Sequence, residues 1–325
     1  MKKETILFIL SSILLFNACD YKKGIDVPIK KISPYSIVDM LSDSIYMTNV
    51  ICLEKVSGNL FLSDYDYGVY KTDTMGRISE HFAKKGNAKG EALGSAYFYP
   101  VGDSVLYLRD DGHRCFSIYK DGRHMRNIKL STKYRFSNQS RFFVHNDTIY
   151  HSIIGEDKLV AKISMDNTIH ALCDADRRLD DKRMPLHSER HVLNGNHSII
   201  LVGKGVPLIQ EFSYEGIELF RYDLATIPEL SNTFLKERSN IPNRYFVVIK
   251  DAYYHNGMLY LLVASKDGEF HCNKIVALKK KEEEFVHMVS YQLKQSIYET
   301  FCVSGNTLYA FNSYSSAIEI YHLPD

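Results

Sequence analysis

Neither positive nor negative charge is in excess in this sequence. Its 325 residues contain 40 Lys and Arg against 39 Asp and Glu, which gives a formal net charge of +1. A protein that binds nucleic acid through its phosphates, or a membrane through a polybasic patch, concentrates positive charge. The charge balance therefore argues against nucleic acid as a partner.

Cysteines at metal-binding or redox spacing are also missing. Five of the six cysteines follow residue 20; their number is odd, and no two of them are in C-x-x-C spacing. This pattern fits neither a zinc site nor a disulfide framework. We interpret these residues as buried free thiols, while a single disulfide remains possible in an oxidising compartment. The five are Cys52, Cys115, Cys173, Cys272 and Cys302.

The apolar run near the N-terminus, residues 6–16, is too short to span a bilayer as a stable helix. It follows two lysines and leads into Leu15-Phe16-Asn17-Ala18-Cys19. This segment resembles a bacterial lipoprotein signal peptide. The resemblance implies cleavage before Cys19 and a diacylglycerol on its sulfur, so residues 1–18 are predicted to be the signal. An ordinary secretory signal followed by an unmodified cysteine is the alternative.

A polar, lysine-rich stretch with prolines at Pro28 and Pro34 follows the signal. This composition predicts a tether over residues 19–34, which would connect the lipidated Cys19 and the membrane to the fold. The residues directly after Cys19 are not a clearly acidic export tag. We therefore expect an envelope protein on the outer membrane that faces the periplasm.

Tryptophan is absent, whereas 23 tyrosines and 17 phenylalanines favour strands. A two-residue turn signal recurs six times, 44 to 61 residues apart, and each copy precedes a β-rich run. A period of about 40–50 residues with roughly four short strands is typical of a β-propeller. The sequence thus predicts an all-β, six-bladed β-propeller over residues 35–325. The turn pairs are Gly58-Asn59, Gly102-Asp103, Asn146-Asp147, Gly195-Asn196, Asn256-Gly257 and Gly305-Asn306.

The sixth repeat has runs for three strands only, and the stretch 35–47 precedes the first complete repeat without a blade of its own. We predict that this stretch supplies the outer strand of the last blade. Such a strand would close the ring and cover an edge that otherwise invites aggregation.

The connector Lys85-Gly86-Asn87-Ala88-Lys89-Gly90-Glu91 joins the first repeat to the second. It resembles the G-x-G-x-G-E connector of six-bladed β-propeller lipoproteins from Bacteroidetes-type bacteria, relatives of the NHL- and TolB-like propellers. The resemblance implies an envelope lipoprotein. It implies neither a reaction nor a ligand, so no binding residue is transferred from the family.

Two polar motifs are candidates for chemistry. His187 and His191 are spaced for one helix face, but Glu189 is misplaced for H-E-x-x-H, which favours solvated loop residues over a metal site. The second motif is a set of polar residues that follow the first β-run of repeats one, two and six. These could form a polar ring that binds a cation or sugar, but we favour turn-forming side chains. The set is Asp64, Asp66, Asp110, Asp111 and Asn312.

A binding or scaffolding module for a protein, peptide or glycan partner is the function that the sequence favours. Arg244 and Tyr245, at the end of a long connection, are the candidate ligand-binding residues. A propeller enzyme of the lactonase or glycosidase kind is the alternative. Such an enzyme would need an axial divalent cation such as Ca²⁺. A binding or scaffolding module needs no cofactor, no metal-binding residue and no catalytic residue. A sensor coupled to a transporter or signalling protein is a third reading.

Overall fold

The computed structural model describes residues 27–42, 44–176, 185–228, 230–231, 246–267, 269–282 and 284–324. Cys19, Arg244 and Tyr245 lie outside these ranges, as does the predicted signal. Two short 3₁₀ segments occur, at Pro185–Ser188 and Leu224–Thr226. Within the described ranges, no helix is both long and apolar enough to cross a membrane.

Four short strands precede the regular repeats: β1 (Ile29–Lys31), β2 (Pro34–Val38), β3 (Met40–Leu41) and β4 (Ile45–Tyr46). Strands β3 and β4 pair only with each other. Each of the other two joins a sheet formed by strands much later in the chain.

Six antiparallel sheets follow in chain order, and each is one blade of a six-bladed β-propeller. Blade one is β5 (Val50–Val56), β6 (Asn59–Asp64), β7 (Gly68–Thr72) and β8 (Ile78–Lys84). Blade two is β9 (Ser95–Val101), β10 (Val105–Asp110), β11 (Cys115–Lys120) and β12 (Arg123–Lys129). Blade three is β13 (Phe143–His145), β14 (Thr148–Ser152), β15 (Lys158–Ile163) and β16 (Ile169–Asp174).

The second half of the chain continues the pattern. Blade four is β17 (Arg190–Asn194), β18 (Ile199–Gly203), β19 (Leu208–Phe212) and β20 (Glu218–Asp223). Blade five is β21 (Ile249–His255), β22 (Met258–Asp267), β23 (Glu269–Lys281) and β24 (Glu284–Gln292). Blade six is β25 (Tyr298–Ser304), β26 (Thr307–Asn312) and β27 (Ala317–His322), with β2 as its fourth strand.

The turns between the first two strands of each blade fall at the predicted pairs or one residue from them. In blade five, Asn256 and Gly257 both have positive φ, at 50° and 76°. Two successive residues in this region give the turn that matches the twist of the flanking strands, which is why Asn-Gly is favoured there. The predicted repeat is therefore confirmed as the organising unit of the fold.

The closure of the ring is confirmed as well. Strand β2 pairs antiparallel with β27, with Pro34 opposite Tyr321 and Val38 opposite Ile318. Val38 is buried in a core cluster shared between blades six and one. The N-terminal strand thus joins the two ends of the chain into one ring and covers the edge of the last blade.

Strand β1 was not foreseen from the sequence. It lies within the stretch predicted as tether and pairs in parallel with β24, with Ile29 opposite Ser290. Blade five is therefore five-stranded, and the described chain begins at the outer perimeter of the propeller. The five cysteines predicted as buried thiols are all buried and free.

Candidate functional site

The inner strands of the blades surround the axis, and a single arginine fills its centre. Arg141 lies two residues before β13 and is 3% exposed. Its Nε donates to Asp251 Oδ1 and its Nη2 to Asp251 Oδ2, both at 2.7 Å. This bidentate geometry is the strongest way in which an arginine binds a carboxylate.

Further blades complete the shell around this guanidinium. Nη1 of Arg141 donates to Glu54 Oε1 in blade one at 2.5 Å, and Nη2 donates to the Phe301 carbonyl in blade six at 2.6 Å. The rings of Tyr97 and Tyr253 lie 6.0 and 5.2 Å from the guanidinium carbon, within the range of a cation–π contact. We call these residues the axial hub: Arg141, Asp251, Glu54, Thr300, Phe301, Tyr97, Tyr253 and His191.

Charge is well compensated in the axial hub. Burial alone would lower the pKa of Arg141, but the carboxylates of Asp251 and Glu54 outweigh it and raise that pKa well above its ordinary value. Likewise, burial would raise the pKa of Asp251, but the adjacent guanidinium holds it below its usual range. Arg141 therefore remains a cation and Asp251 an anion.

His191 corrects one interpretation of the sequence. It is not a solvated loop residue, because it lies on β17 and is fully buried. Its Nδ1 accepts a hydrogen bond from the backbone N–H of Arg141 at 3.2 Å, and burial lowers its pKa to about 3. His191 is therefore a neutral ring that positions Arg141. Among the described residues, no group of three or more His, Cys, Asp or Glu could hold a metal ion.

A cavity of about 410 Å³ opens at the end of the axis where the inner strands begin. We call it the axial cavity. Its ionisable lining residues are Lys204, Lys250, Asp111 and Glu299. Other lining residues are aromatic (Tyr65, Tyr97 and Phe246) or carry a side-chain amide (Asn49, Asn138 and Gln139).

Each charged side chain in this lining has a partner of opposite charge within the protein. Lys250 forms an ion pair with Glu299 across blades five and six. Asp111 Oδ1 lies 2.7 Å from Arg109 Nη2, and burial nevertheless raises the pKa of Asp111 to about 6. The axial cavity is thus lined by paired charges, amides and aromatic faces, and a partner need not supply a counter-charge.

Lys204 is the most deeply buried of these charges, at 2% exposure. Its Nζ lies 3.2 Å from Glu189 Oε2 and also donates to the Gln139 carbonyl. Burial lowers the pKa of Lys204, although Glu189 opposes that shift. Glu189 in turn accepts a hydrogen bond from Ser137, so a connected polar network supports this wall of the axial cavity.

A second, smaller cavity of about 240 Å³ lies where the inner strands end, and Arg141, Glu54 and Tyr253 are among its lining residues. Tyr97 lines the axial cavity on the other side of the guanidinium. The axial hub therefore lies between the two cavities.

The predicted polar set divides into turn residues and one cavity residue. Asp64 Oδ1 accepts from Asp66 N–H at 2.8 Å, and Asp110 Oδ1 accepts from His113 N–H at 3.2 Å. Asn312 Oδ1 accepts from Tyr314 N–H at 3.0 Å in the same way. These bonds agree with the turn interpretation. Asp111 is the member that lines the axial cavity.

Sequence reasoning missed Arg141 altogether. A signal was available, because charged residues stand within two residues of the start of the inner strands in three consecutive blades, close before apolar residues. Arg141 precedes Phe142 and Phe143, Arg190 precedes the run that contains Val192, and Asp251 precedes Ala252. A charge that starts a buried strand must find partners, and on the axis of a propeller those partners come from other blades.

No protein-family model and no curated protein matches this sequence. Solved structures do match along most of the chain. One is a protein from Bacteroides fragilis described as exported, at 13% identity, covering 87% of this chain and 88% of that one with a TM-score of 0.56. Another is a member of the DUF4221 family from Bacteroides vulgatus, at 10% identity, with 90% and 97% covered and a TM-score of 0.54.

A virginiamycin B lyase from Staphylococcus aureus, in a catalytically inactive form with quinupristin, is similar to the same degree. It is 10% identical, with 89% of this chain and 99% of that chain covered and a TM-score of 0.53. Identities this low show the fold alone. The comparisons and the topology agree that the protein is a six-bladed β-propeller.

Proposed function

We propose that the protein is a lipid-anchored binding module of the cell envelope that holds a protein, peptide or glycan partner in its axial cavity. The observation that carries the proposal is the axial cavity itself, an opening of about 410 Å³ on a rigid ring. Aromatic faces and amides can contact a polar partner whatever the charge of that partner.

The axial hub favours binding over the enzyme alternative. A propeller enzyme of the lactonase or glycosidase kind would use axial carboxylates to hold a divalent cation. Here Asp251 and Glu54 both form ion pairs with the guanidinium of Arg141. The carboxylates on the axis thus have a structural partner already.

Photo-cross-linking in the native envelope tests the binding role. A photoreactive amino acid at Tyr65, which lines the axial cavity and is 43% exposed, should capture a partner. The matched position is Met75, exposed in the turn between β7 and β8 at the opposite end of the same blade. Adducts at position 65 and not at 75 support the proposal. Adducts at 75 alone, or at neither position, contradict it.

The anchor is supported by the lipoprotein-like N-terminus and by the position of β1. Because β1 lies on the outer perimeter, a tether that precedes it joins the ring away from the axial cavity. One protein of the same fold is described as exported, which fits a location outside the cytoplasm. Mass spectrometry should find acyl chains on the N-terminal peptide of the parent protein, and the Cys19→Ala variant should fail to mature and should lack them. An unmodified Cys19 in the parent would contradict the anchor.

A further inference from the structure

Large apolar side chains are exposed on both N-terminal strands that join the perimeter. Ile29 on β1 is 52% exposed, and Tyr35 and Ile37 on β2 are 64% and 55% exposed. Alternation along a strand puts Tyr35 and Ile37 on the same side of β2. We call the perimeter formed by β1 and β2 the N-terminal edge. It presents these three apolar side chains to solvent.

A basic groove lies beside this edge. It has a volume of about 540 Å³, and the ionisable residues among its lining are Lys31, Lys274 and His271. Lys31 ends β1 and Ile32 lies between β1 and β2, so the groove adjoins the connection between the two strands. The chain as a whole is nearly neutral, but here positive groups and apolar side chains occur together.

The length of the predicted tether restricts what this surface can face. Only eight residue steps separate Cys19 from Val27, where the described chain begins. A fully extended chain of that length reaches about 29 Å at most. If Cys19 carries its lipid, Val27, two residues before β1, cannot be farther than that from the bilayer.

We propose that the N-terminal edge rests on an anionic lipid surface, an inference that builds on the lipid anchor in the proposed function. Tyr35 and Ile37 contact the headgroup and upper acyl region, where tyrosine and aliphatic side chains are favoured. Lys31 and the groove face the lipid phosphates. The perimeter of the propeller then rests on the bilayer, and the propeller axis is parallel to the membrane plane. In this orientation a partner can reach the axial cavity from the side.

Quenching by labelled lipids tests this orientation in the intact lipoprotein. Since the five cysteines of the fold are buried, a single introduced surface cysteine can be labelled selectively with a fluorophore, whose emission the nitroxide lipid quenches. The variant Ile37→Cys reports on the N-terminal edge. Leu219→Cys is its matched control, because Leu219 has nearly the same exposure, 53%, on the outer strand of blade four. Each purified lipoprotein is reconstituted in phosphatidylcholine vesicles with phosphatidylglycerol and headgroup-nitroxide lipid.

The expected result is strong quenching of the label at 37 and weak quenching at 219. Two charge reversals, each combined with Ile37→Cys, refine the test. Lys31→Glu should reduce the quenching of the label at position 37, whereas Lys129→Glu, on the outer strand of blade two, should leave it unchanged. Equal quenching at the two labelled positions, for protein that is lipidated and stays with the vesicles, overturns the orientation alone. Protein that carries no lipid and floats free overturns the anchor, and with it the basis of this inference.

Discussion

Arg141 and Asp251 meet on the axis of the propeller with two hydrogen bonds of 2.7 Å, although 110 residues separate them in the chain. The pair connects the start of blade three to the inner strand of blade five, and Glu54 and Phe301 attach it to blades one and six. One guanidinium thereby connects blade three to blades one, five and six. It also divides the axis into two cavities.

Removing this arginine should cost much of the stability of the fold. In Arg141→Ala, Asp251 would be a buried carboxylate without its cation, and such losses destabilise by about 3–5 kcal/mol. Arg141→Lys should be intermediate, because an ammonium keeps the charge but not the bidentate geometry. Urea unfolding followed by circular dichroism measures both effects.

Arg77→Ala is the control for the loss of an arginine as such. Arg77 forms an exposed ion pair with Asp73 at 2.7 Å, and pairs of that kind contribute at most about 1 kcal/mol. Similar losses of stability in Arg77→Ala and Arg141→Ala would show that the axial hub has no special role.

The closure strand makes a second prediction. A chain that starts at Ile32 keeps β2 on blade six and lacks only the three-residue strand β1, so it should be soluble and melt cooperatively. A chain that starts at Asp39 exposes the edge of β27 and removes Val38 from the core, and it should aggregate. Scanning calorimetry and sedimentation compare the two. A soluble, cooperative protein that starts at Asp39 would refute the closure as a requirement for folding.

Buried histidines predict a loss of stability in acid. His151 is fully buried, stacks on Phe136, and its Nε2 binds the carbonyl of Ser137 at 2.8 Å; burial lowers its pKa to about 3. The unfolded chain has an ordinary histidine pKa of about 6.5, so it binds more protons than the folded protein between these values, and stability falls as pH falls through that window.

At pH 5 the contribution from His151 should be a loss of about 2 kcal/mol relative to pH 7.5. His151→Gln keeps a donor for the Ser137 carbonyl but cannot titrate. Its loss of stability between pH 7.5 and pH 5 should therefore be smaller than that of the parent by about the same amount. If the two proteins respond identically to pH in urea unfolding, His151 is charged in the folded state and the prediction is wrong.

The sequence determines the repeat, the number of blades and the closure, because each depends on local signals. Asn256-Gly257 and its counterparts mark turns wherever they occur, and the missing strand of blade six follows from counting runs. Strand β1 could not be found in this way, since a three-residue parallel pair in a lysine-rich segment has no periodic pattern. The axial hub was missed for another reason. The partners of Arg141 come from distant parts of the chain, and only the ring brings them together.

The candidate site was predicted less well than the fold. Arg244 and Tyr245 lie outside the described residues and stay a prediction. Of the polar set, Asp111 reaches the axial cavity, whereas Asp64 and Asp110 serve turns. A turn aspartate and a cavity aspartate look alike in sequence, because both stand at or just after the end of a strand.

The rate at which a cysteine at position 65 reacts with maleimide tests the central claim most directly. Tyr65→Cys places a thiol in the lining of the axial cavity, and Met75→Cys places one at the other end of blade one, while the native thiols stay buried. Each variant is labelled in intact envelopes and after purification. A binding module whose partner occupies the axial cavity predicts that position 65 reacts several-fold more slowly in the envelope, with position 75 unchanged. If the ratio of the maleimide reaction rate in envelopes to the rate after purification is the same at positions 65 and 75, the claim is contradicted.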